Sequence, residues 1–130
     1  MNLPSSIGLV VPVAGSATQG EYAVVEACLP AGLEIPAHVA SREDVTVHVL
    51  HGEVEVSVDR TANTLTNGES VAIRRGVPRR FRATRPSRVL AILTPGGLEQ
   101  ILAVIADIAI DPDDRAALLA VGGVQAVPAA

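Results

Sequence analysis

GLEIPAHVASREDVTVHVLHGEVEV, residues 32–56, is the stretch on which the fold of this chain turns. Val54, Val56 and Val58 alternate with Glu53, Glu55, Ser57 and Asp59. A period of two, with valine on one side and polar groups on the other, describes a strand that is dry on one face and wet on the other. Residues 34–40 and 45–50 read as two further strands, and Gly32 and Gly52 supply turns. Outward from this stretch, residues 7–94 repeat the pattern as short valine-rich runs separated by Gly, Pro, Asn and Asp. Punctuation at that interval signals a β-sandwich or barrel. The remaining strands are expected at 8–13, 21–29, 53–59, 63–66, 70–74, 79–83 and 88–94.

After Pro95-Gly96-Gly97 the period changes. Leu98, Ile101, Leu102, Ile105 and Ile108 fall on one side of a helix running to about Ala109. Asp111 has the chemistry of an N-cap, followed by Pro112 in the first helical position and by Asp113 and Asp114 in the first turn. A second helix then passes through Leu118 and Leu119 to Gly122, and residues 124–130 are expected to be irregular.

The chain has 130 residues, 48% of them hydrophobic, enough for one domain with a real core. Its net charge of -4 argues against general affinity for nucleic acid, and no run reaches the length of a membrane span. The start, MNLPSSIGLVVPVAGS, lacks the charged region and long apolar run of a signal peptide. Cys28 is the single cysteine, which suits the reducing cytoplasm and excludes a thiolate-rich metal cluster; lying in a strand that ends at Pro30, it is expected as a small buried hydrophobe. The only aromatic residues are Tyr22 and Phe81, so any pocket is lined by aliphatic side chains. All ten basic residues are arginine, seven of them in 74–88, and alternation turns Arg80 and Arg82 away from Arg79 and Phe81. A solvated, salt-bridged edge is the expected use of that run.

Residues 32–56, together with GESVAIRRGVPRRF at 68–81, resemble the two motifs of the cupin superfamily. Gly32, His38 and Gly52 fall in register with the first motif, and Gly68 and Gly76 with the second. PGGLEQILAVIADIAIDPDDRAALLAV, residues 95–121, is similar to the helical tail of small quercetin-dioxygenase-like cupins. The resemblance implies an all-β jelly-roll barrel, a double-stranded β-helix, followed by two short C-terminal helices. One domain over 1–130 is expected, with the barrel at about 7–94 and the tail at about 97–122. Small cupins of this kind commonly pair through barrel strands, which implies a homodimer.

In that family two histidines and a glutamate from the first motif and a histidine from the second hold a divalent metal. Position by position, His38 keeps the first ligand, while Ala40, Val45 and Arg79 replace the other three. Alanine and valine offer no donor, and arginine is a permanent cation. A shift of one residue would bring Asp44 inward, yet the set would still reach only two. His48 should face the opposite side of its strand, and His51 lies six residues from Val45, roughly 20 Å along. The expectation is a site with no metal and no cofactor.

What remains is an apolar cavity with His38 as proton-transfer base, Arg79 as the anchor for a substrate's negative charge, and Ala40, Val45, Phe81 and Asp44 as further substrate-binding residues. Such a site suits isomerisation, epimerisation or cyclisation of a small anionic or enolisable molecule. Two other functions stand beside it: a binding or sensing module without chemistry, and a metal-dependent quercetinase-like dioxygenase whose ligands align differently. A structural reading also stands, in which His38 bonds the backbone and Arg79 pairs with Glu43, Asp44 or Glu26.

Overall fold

The computed structural model describes residues 7–107 and 111–128. Ten strands form two five-stranded antiparallel sheets. One has the order β1 (Gly8–Val13), β2 (Ala23–Leu29), β9 (Ser87–Thr94), β4 (Asp44–His51) and β7 (Ser70–Ile73). The other has β10 (Val124–Ala126), β3 (Glu34–Ala40), β8 (Arg79–Ala83), β5 (Glu53–Val58) and β6 (Thr61–Thr66). The two helices are α1 (Leu98–Asp107) and α2 (Pro112–Val121). Ile108 and Ala109, included in the expected first helix, lie outside the described residues.

Alternation drives this arrangement. Val45, Val47 and Val49 of β4 and Val54 and Val56 of β5 are all buried, while Thr46, His48 and Glu55 between them are partly exposed. The same rule overturns the expectation for Cys28, which is exposed. Ala23, Val25 and Leu29 take the inner face of β2, so Cys28 points outward between its neighbours Gly8 and Arg88. Gly52 joins β4 to β5 at φ 112°, and a Cβ there would come within 2.7 Å of the Ser87 Cα. That turn needs glycine on both counts.

The second helix begins as expected: the Asp111 side chain accepts the Asp113 N–H at 2.9 Å, with Pro112 opening the helix. The tail after it does not stay irregular. Gly122 and Gly123 end α2, Gly123 accepts the Ser41 N–H at 2.9 Å, and Val124–Ala126 then pairs with β3 opposite Ala40, Val39 and His38. Three residues are too few to show a period, but they cover an otherwise open strand edge.

One buried carboxylate fastens the tail to the barrel. Glu99, 1% exposed, accepts the Gly15 N–H at 2.9 Å and the Gly97 N–H at 2.6 Å. It thereby ties the start of α1 to the connection between β1 and β2, by bonds of the charge-assisted kind. No helix among the described residues is long and apolar enough to cross a membrane.

Candidate functional site

The site is built on β3 and β8, where His38 and Arg79 are direct cross-strand partners. Their register depends on a bulge. Ile35 pairs with Phe81 and His38 with Arg79, so three steps on β3 match two on β8. Pro36, which has no N–H to give a ladder, sits in the extra length. Because of this irregularity, Ile35 and His38 both face the interior despite their odd separation.

The bulge also fixes the histidine tautomer. His38 Nδ1 lies 2.8 Å from the Pro36 carbonyl oxygen, which only accepts, so Nδ1 carries the proton. The lone pair of the neutral ring is then on Nε2. Burial pushes the His38 pKa below its usual value, the bond to Pro36 opposes that shift, and the Arg79 charge adds to it. Burial, more than the neighbouring arginine, keeps the ring neutral.

Arg79 is 3% exposed. Its Nε donates to the Val77 carbonyl and one terminal nitrogen, Nη2, to the Arg74 carbonyl, both at 3.0 Å. The turn carrying these carbonyls is itself tied to β3, since the Gly76 N–H donates to the Ala40 carbonyl at 2.8 Å. No carboxylate among the described residues lies within ion-pair distance of this guanidinium: Asp44 pairs with Arg75 at 3.2 Å and Glu26 with Arg88 at 3.0 Å. Its second terminal nitrogen, Nη1, makes no hydrogen bond among the described residues. Burial lowers the Arg79 pKa and the charges of Glu43 and Asp44 work against it, but a guanidinium remains a cation.

Both side chains line a cavity of about 170 Å³ between the sheets. Ala40, Val45 and Phe81 line it too, and the His38 and Phe81 rings stand 6.0 Å apart. Of its twenty lining residues, only His38 and Arg79 are polar. The tail lines the cavity as well, through Leu98 and Leu102 of α1, Leu119 of α2 and Val124 of β10. The sequence leaves open whether the two helices cap the barrel mouth or form an interface, and Val124, beyond them, carries no periodic signal. A second groove of about 430 Å³ shares Arg79 with this cavity and is lined also by Ser57, Asp59, Arg60 and Arg80.

Asp44 does not join this cavity. It neighbours inward Val45, so alternation turns it out, where its carboxylate accepts the Arg75 N–H at 2.8 Å and the Arg75 guanidinium at 3.2 Å. Those bonds hold its pKa down at about 2. His48 faces outward and hydrogen-bonds Ser70, and His51 is exposed at the end of β4. The arginine-rich edge is largely ion-paired, with Arg80 and Arg82 sharing Glu34.

A cupin-domain family matches residues 24–93, more than half of the chain. The chain belongs to the cupin family. Among solved structures, this cupin is similar to KdgF from Halomonas sp., at 17% identity and TM-score 0.68 over 77% of this chain and 88% of that one. It is also similar to a predicted oxalate decarboxylase from Thermotoga maritima, at 15% identity and TM-score 0.65 over 68% and 80% of the two chains. A third likeness is to ectoine synthase from P. lautus, at 17% identity and TM-score 0.61 over 71% and 66%. No curated protein matches the chain significantly. Identities this low carry the fold and not the reaction.

The metal that cupins commonly hold does not fit these residues. Among the described residues no three histidine, cysteine, aspartate or glutamate side chains come together to hold an ion. The cross-strand neighbour of His38 is a fixed cation. One imidazole beside a guanidinium is a poor donor set for a divalent ion.

Proposed function

We propose that this cupin binds a small anionic or enolisable molecule in the barrel, without a metal, and moves a proton on it. The observation that supports this most is the pairing of His38 and Arg79, the only polar side chains among the described residues that line an otherwise apolar cavity. A volume of about 170 Å³ is below the roughly 300–1,000 Å³ of drug-sized ligand sites, so the ligand is small.

The chemistry balances without an oxidant. Arg79 Nη1 donates to a carboxylate or carbonyl oxygen, and His38 Nε2 takes a proton from the carbon beside the carbonyl. The C–H electron pair passes into an enolate whose charge rests against Arg79. Return of the proton elsewhere on the frame gives an isomer, and return to the other face gives an epimer. Attack of the enolate carbon on an internal electrophile gives a ring. Residence in the cytoplasm and association as a homodimer belong to the same proposal: lone Cys28 calls for no oxidising compartment, and β1 ends a sheet.

Two isosteric probes test the anion preference. Isovalerate and 4-methyl-2-pentanone share an apolar body and differ in carboxylate against acetyl. Titration followed by amide chemical shifts should show isovalerate binding roughly tenfold tighter or better, the worth of a charge-assisted bond. Equal affinity would remove the anion reading.

A further inference from the structure

Two glutamates are buried among the described residues: Glu99 fastens the tail to the barrel, and Glu43 has no role in the chemistry above. It is 4% exposed, and its Oε2 is fully enclosed without a hydrogen-bond partner. Its position continues the inward series of Val45, Val47 and Val49. The next residue, Asp44, holds the Arg75 N–H, and Arg79 donates to the Arg74 carbonyl of that same turn, so Glu43 lies at the end of the barrel where Arg79 is anchored. The charged groups facing it are Arg42 from its own turn, Arg75 from the turn after β7, and Arg79 from β8. β9 brings only Leu93 and Thr94 to this level. No oxygen of Glu43 comes within 4 Å of an arginine nitrogen among the described residues, so this carboxyl feels Arg79 without neutralising it by contact. Burial pushes its pKa up, and the three arginines oppose that shift without cancelling it.

We propose that Glu43 is a positioning residue of the barrel site, setting through Arg79 how tightly the cavity holds an anion. This rests on the anchoring role given to Arg79 above. With Glu43 protonated, the charge of Arg79 is open to the ligand. With Glu43 ionised, Arg79 has an internal counter-charge and the ligand competes with it.

Isovalerate affinity, referred to the ionised ligand and measured upward from pH 5 in wild type and Glu43→Gln, tests this. Wild type should lose affinity as pH rises, by up to roughly tenfold, the order of a partly screened charge pair. The glutamine variant should hold the higher affinity throughout, and any slope left in it belongs to His38. Identical profiles in the two proteins overturn the proposal. The anchor reading fails separately, when isovalerate binding is absent or ignores Arg79→Leu.

Urea unfolding gives a second readout that needs no ligand. A folded-state pKa above the ordinary 4.5 makes the unfolded carboxyl lose its proton first, so Glu43 costs stability increasingly as pH climbs from 4.5 to its folded pKa. The gain in urea midpoint from Glu43→Gln should therefore be larger at pH 8 than at pH 5. A gain or loss independent of pH marks a packing role and counts against the proposal.

Discussion

Replacing Arg79 by leucine lowers isovalerate affinity by about 10- to 100-fold and abolishes the preference over 4-methyl-2-pentanone. The size follows from losing a charge-assisted hydrogen bond worth about 1.5–3 kcal/mol, at 1.4 kcal/mol per factor of ten. The variant should fold. It removes a buried charge that has no carboxylate within ion-pair distance among the described residues, and the Arg74 and Val77 carbonyls it frees belong to a turn that is at least partly exposed. Arg79→Lys keeps the charge but cannot span both carbonyls and the ligand with one ammonium. It should recover only part of the affinity. Chemical-shift titration measures all three, and unchanged affinity in Arg79→Leu would show that the guanidinium does not face the ligand.

Changing His38 to glutamine should leave binding within about threefold and remove proton transfer. A suitable probe is 3-methyl-2-oxobutanoate, whose carboxylate suits Arg79 and whose C3–H is acidified by the ketone. In deuterated water the wild type should exchange that hydrogen, as Nε2 takes the proton and returns deuterium. The variant should be slower by about 10²–10⁴-fold, the usual worth of a positioned base. The acid limb of the wild-type rate should lie below 6.5, the ordinary histidine value, because burial keeps the ring neutral there. Equal exchange in both proteins leaves a binding module, since no second base among the described residues lines the cavity.

The barrel was legible because its strands obey a period of two over several residues each and its turns carry glycines. The alternation at Glu53–Val58 predicted which face would be wet, and the structure follows it. Legibility failed where a period had no room. Val124–Ala126 is too short to show one, yet it completes the sheet beside His38. The bulge at Pro36 shifts the parity of β3, so Ile35 enters the cavity alongside His38. Asp44 was drawn inward by the variable length of a family motif, while simple alternation from Val45 turned it to Arg75. Glu43 is legible as a candidate partner of Arg79, and alternation from Val45 turns it inward; that one of its oxygens is enclosed without a hydrogen bond among the described residues depends on packing no local pattern encodes.

The central claim is that this barrel holds an anion site where related barrels hold a cation. The direct measurement is element analysis of the protein after incubation with manganese, iron, nickel, copper and zinc salts and removal of the excess. Far less than one equivalent of any of them per chain is expected, with no difference between wild type and His38→Ala. One equivalent of a single metal, lost in His38→Ala, would contradict it.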